Sequence, residues 1–127
     1  MTTTKQIITA HLAISSLISF DKENKVVLPS AARIKFAQVF RKTREIFEDY
    51  INEKNNLVER YGAKNDKTGD IEVTAENKGK FDSEVNSMLE ADCKVEIKPL
   101  SVKELGENQI PIDVLVALQD GGVIELS

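Results

Sequence analysis

Residues 28–62, LPSAARIKFAQVFRKTREIFEDYINEKNNLVERYG, constrain this chain more than any other stretch. Phe36, Phe40, Thr43, Phe47, Tyr50, Lys54, Leu57 and Tyr61 recur four and three residues apart. That alternation keeps a single narrow stripe on one face of a helix, the pattern of helices that pack side by side. Pro29 suits a first helical turn, the Ser30 hydroxyl can cap orphan amides, and Gly62 offers a left-handed stop. At ~1.5 Å rise per residue the helix is roughly 50 Å long, more than a domain of this size covers by itself. Its stripe therefore calls for another helix, from the same chain or from a second copy.

The rest of the chain supplies shorter elements. Thr2 to Thr4 can cap a first helix reaching about Phe20, with Ile7, His11, Ile14, Leu17 and Ile18 on one face and almost no charge. Residues 63–70, AKNDKTGD, are turn chemistry and lack the alternating oxygens of a calcium loop. Ile71 and Val73 alternate with acids as a short strand, and Thr74 opens a helix to about Ala91. Cys93, Val95 and Ile97 alternate with Lys94, Glu96 and Lys98, a half-buried strand closed by Pro99. The strands at 71–74 and 93–98 are expected to pair as a ribbon. Ser101 and Glu104 form a capping box for one turn that Gly106 ends. Residues 110–118 read as a last short helix, and Val123, Ile124 and Leu126 as a tail strand. The expected fold is α+β, mainly α, in one domain over 1–127. It is a long helical hairpin, helices 29–61 and 75–91 antiparallel, with a small two-stranded β ribbon and a short C-terminal helix.

Charge divides the chain. Residues 1–44 hold eight Lys/Arg against two acids, net +6, and residues 45–127 hold nine against nineteen, net −10. Within the long helix Arg33, Lys35, Arg41, Lys42 and Arg44 crowd the first half, where the helix dipole favours acids. Arg33 and Arg44 lie nearly on one line, with Arg41 to one side and Phe36, Phe40 and Phe47 to the other, while Lys35 and Lys42 point to the opposite face. An arginine strip beside a phenylalanine strip can hold a phosphate and stack a base. The candidate ligand-binding residues are therefore Arg33, Phe36, Phe40, Arg41 and Arg44, with His11 from the first helix. The same residues also read as core edge and solvated charge.

Several chemistries find no support. One Cys and one His are too few for a zinc cage, Cys93 has no neighbour in sequence to activate it, and His11 has no catalytic partner. Glycine-rich phosphate loops, nucleophile elbows and dinucleotide fingerprints are missing from the sequence. No catalytic residue, metal or cofactor is expected. Nor is a membrane span or a duplex nucleic-acid partner, since the apolar runs are short and the whole chain is acidic.

From Leu57 onward the order LVERYG, a polar turn, GDIEVT, FDSEVNSMLEAD, VEIKPLSVKEL and IPIDVLVAL resembles a diffuse family of small tailed-bacteriophage proteins. The likeness covers about the last two-thirds of the chain and the Leu28-Pro29 helix start. It implies a fold and a phage origin, and no site residues. By analogy of type, small acidic oligomers with a basic pocket are similar in character to phage proteins that sequester host immune-signalling nucleotides. The leading expectation is a non-enzymatic phage accessory protein in the host cytoplasm. It self-associates through its first two helices and sequesters an anionic nucleotide-like molecule. The alternative is a structural or assembly protein of the phage particle, its arginines meeting its own acidic half.

Overall fold

The computed structural model describes residues 2–23, 26–106 and 110–125. In chain order these give β1 (Thr2–Thr3), α1 (Thr4–Lys22), α2 (Ser30–Tyr61), β2 (Gly62–Lys64), β3 (Ile71–Val73) and α3 (Lys78–Glu90). Then come β4 (Asp92–Cys93), β5 (Leu100–Ser101), a 3-10 turn (Val102–Leu105), α4 (Ile112–Asp120) and β6 (Ile124–Glu125). The chain is mainly helical with small β pairs, the expected α+β class.

One core sits at one end of α2. From α1, Ala10, Ala13, Ile14 and Leu17 pack in one cluster with Ala32, Phe36 and Val39, and α4 closes the other side with Val114 and Leu118; Ile7 is buried outside that cluster. Leu100, Leu105, Ile110, Val123 and Ile124 complete it, so the apolar tail segment docks on the core as its composition required. The other end of α2 is an arm. Leu57 is its buried residue, and α3 packs along it without burying any of its own. The two helices run antiparallel: Asn77 Nδ2 donates to the Tyr61 carbonyl at one end, and Met88 shares a cleft with Ile46 and Tyr50 at the other.

Both helix starts are made differently from one another. Thr3 caps α1 by accepting the Gln6 N–H at 3.2 Å. α2 has Pro29 at its cap and no side-chain cap, so Ser30 does not serve as one. Gly62 ends α2 in extended backbone (φ −102°), not in a left-handed cap. Its requirement is space: a Cβ there would stand 2.3 Å from the Val58 carbonyl oxygen and 2.9 Å from that of Glu72. The chain thus turns directly from helix into strand under its own next hairpin.

The strand pairing also differs from expectation. β3 pairs antiparallel with β2, Gly62 opposite Val73, because residues 65–70 close a hairpin locally. Asn65 N–H donates to the Asp70 carbonyl at 2.7 Å and Gly69 takes a positive φ of 78°. A short loop closes at lower entropic cost than one containing all of α3. β4 instead pairs antiparallel with β1, and residues 95–99 form no strand. β5 and β6 pair in parallel, so among the described residues three two-stranded sheets replace the single ribbon. The capping box is present, Ser101 accepting from Lys103 N–H and Glu104 from Ser101 N–H at 2.8 Å. α3 begins at Lys78, later than Thr74, whose hydroxyl accepts the Asn77 N–H in a preceding turn. The expected tail strand is reduced to β6; Leu126 lies outside the described residues.

Candidate functional site

The six candidate residues fall in three places. Phe36 is 2% exposed and belongs to the core. His11 and Phe40 meet inside the α1–α2 interface, where the imidazole stacks on Phe40 (centroids 4.4 Å apart) and Phe47 (4.5 Å). The Thr43 hydroxyl donates to the Phe40 carbonyl at 3.1 Å, so at 2.9 Å its oxygen accepts the His11 Nδ1 proton. That geometry puts a proton on Nδ1. Burial lowers the His11 pKa below its ordinary value, Glu48 pulls it back up, and Arg44 adds to the lowering. An aromatic pocket holding its own imidazole is filled; His11 packs there with its hydrogen bond made.

Arg33 is committed elsewhere. Its Nη2 lies 2.9 Å from Asp21 Oδ1, and the same carboxylate accepts the Leu28 N–H at 3.3 Å. The Arg33 hydrogen bond is the main reason the Asp21 pKa is lowered. Lys35 pairs with Glu104, whose pKa is lowered chiefly by that bond. Two of the cations set against the α2 dipole are thus answered by acids from other elements, which eases their unfavourable placement. Arg41 and Arg44 are exposed and have no ion-pair partner among the described residues.

A cationic groove lies on the face of α2 away from the arginines. Lys35, Gln38, Val39 and Lys42 form one wall, and the irregular segment with Lys98, Pro99 and Leu100 forms the other, around about 230 Å³. A second hollow continues from Lys42 past Lys94, Val95 and Glu96. Lys42, Lys94 and Lys98 have no carboxylate partner among the described residues. Helical spacing put Lys35 and Lys42 on one stripe, and the Lys94/Lys98 alternation put those two on one side. What joined the pairs was the loss of strand structure across 95–99, which lays that segment over α2.

No family model matches the chain, and no curated protein or solved structure matches it either. The groove must therefore be read from its own chemistry. Among the described residues no group of three His, Cys, Asp or Glu is placed to hold a metal ion. Cys93 is half-buried with Sγ 3.2 Å from the Thr4 hydroxyl, at the β1–β4 join. No described helix is long and apolar enough to cross a membrane.

Proposed function

We propose that this chain is a non-enzymatic binding protein for a small anionic, phosphate-bearing molecule of nucleotide type, held in the groove between α2 and residues 94–100. The observation that carries the reading is that Lys42 and Lys98 line one hollow whose own lining holds no carboxylate, Glu96 lying in its continuation past Lys42. Like charges brought together are destabilising until an anion lies between them. Lys35 stands at the same hollow, its Glu104 partner exposed enough to yield it. Gln38 adds directional donors and an acceptor, while Val39, Pro99 and Leu100 offer apolar surface for a ring. The C-terminal motifs that resemble small phage proteins support a phage accessory role, with a host signalling nucleotide in the host cytoplasm as the ligand.

Relative to the arginine strip, this reading moves the anion site to the lysine face. The alternative, a structural or assembly protein of a phage particle, needs protein contacts alone. A thermal-shift panel of mononucleotides, cyclic dinucleotides and ADP-ribose-type nucleotides separates the two. A ligand at 100 times its Kd adds ~2.7 kcal/mol to stability, a readily visible rise in Tm. Ligand recovered intact after denaturation agrees with a binder, and ligand recovered cleaved makes the protein an enzyme. A panel without any shift leaves the assembly role.

A further inference from the structure

The outer face formed by α1 and α4 is unlike the rest of the surface. The inner stripe of α1 is used up in the core, yet its outer side still carries no charge from Gln6 to Phe20. Leu12 there is 51% exposed, and on the adjacent α4 Ile112 and Val116 are 79% and 49% exposed. Between the two helices runs a groove of about 290 Å³ whose walls include Thr9, Leu12, Ser16, Val114 and Ala117. Gly121 makes the close approach of the helices possible, since a Cβ there would stand 2.7 Å from the Ala10 backbone.

We infer that this face pairs with the same face of a second copy, Leu12 of each protomer entering the other's α1–α4 groove about a two-fold axis. Three features favour that occupant. An isologous interface needs a projection and a recess on one surface, and Leu12 beside the groove supplies both. The two hydroxyls that line the groove are already paired with their own helix, Thr9 Oγ1 to the Lys5 carbonyl at 2.9 Å and Ser16 Oγ to the Leu12 carbonyl at 3.2 Å. They can leave water without an unmet hydrogen bond. Lys5 heads the α1 face and Asp113 borders the groove at its Ser16 end, while the exposed Asp120, next to Gly121, stands at the Lys5 end. An antiparallel pairing about Leu12 brings Lys5 of each copy to the Asp113 end of the other. A lipid surface is a poor fit, because the middle of the face has no Lys or Arg for headgroups.

Multi-angle light scattering and sedimentation velocity at micromolar concentrations test this on the full chain. The wild type is expected as a dimer. Leu12→Glu, at an exposed position, is expected to be monomeric with unchanged helical circular dichroism. Lys5→Glu should weaken the dimer several-fold, and adding Asp113→Lys should restore it. A wild-type monomer throughout overturns the proposal and leaves the face to a partner of other sequence. A dimer indifferent to Leu12→Glu also overturns it, because the copies must then meet elsewhere.

Discussion

His11 Nδ1 and Thr43 Oγ1 stand 2.9 Å apart in the buried seam between α1 and α2. Thr43 occupies a buried stripe position flanked by Phe36, Phe40 and Phe47, and the imidazole explains why. A hydroxyl there accepts a hydrogen bond from His11 and donates one to the Phe40 carbonyl. Thr43→Val keeps the shape and leaves the Nδ1 proton without its acceptor. It should cost about 1–3 kcal/mol in urea denaturation.

The same ring makes stability fall on mild acidification. Its folded pKa lies below the ordinary 6.5, so well above that value it is neutral in both states. As pH drops below 6.5 the unfolded chain takes up the proton first, and stability is lost down to the folded pKa. His11→Gln should flatten denaturation midpoints across that window. Asp21 and Glu104, both with lowered pKa, act lower: their contribution is present above the usual carboxylate range and lost as pH falls below it.

Two glycines should respond to alanine with opposite signs. Gly62→Ala sets a methyl against two backbone carbonyls and should destabilise by about 1–3 kcal/mol, most of it at the α2–hairpin junction. Gly79 lies in the first turn of α3 with nothing within 4 Å of a Cβ. Gly79→Ala should raise stability by up to about 1 kcal/mol, or raise local protection of α3 if the arm opens separately. Thermal melts of the two variants decide this.

Hydrogen exchange should divide the molecule unevenly. α1 contributes Ile7, Ile14 and Leu17 to the core, whereas α3 buries no residue. Amides of α3 should therefore exchange well before those of α1, with α2 protected at its core end and faster in the arm.

The helices were legible because each has a period of its own. The 28–62 stripe located α2 within two residues, and the Ser101–Glu104 box located the 3-10 turn. Strand partners were not legible, because a two- or three-residue strand has too little pattern to name its mate. Local turn geometry and the position of Thr2–Thr3 decided instead. For the candidate site, sequence found the cations and their helix faces but not their fates. Arg33 meets Asp21 only once α1 and α2 are packed together, and Lys98 lines a hollow with Lys42 where residues 95–99 form no strand. Phe36 looked like a stacking platform for the reason it is core: its stripe faces α1.

Calorimetric titration of the nucleotide giving the largest thermal shift, run on three proteins, tests the lysine groove most directly. The wild type should bind saturably, more weakly at higher salt. Lys42→Glu with Lys98→Glu should weaken binding about tenfold or more, at least ~1.4 kcal/mol, while the melt stays cooperative. Arg33→Ala, which loses only its pair with Asp21, should bind as the wild type does. Unchanged affinity in the lysine variant, or its loss in Arg33→Ala alone, would place the anion on the arginine face and contradict the account.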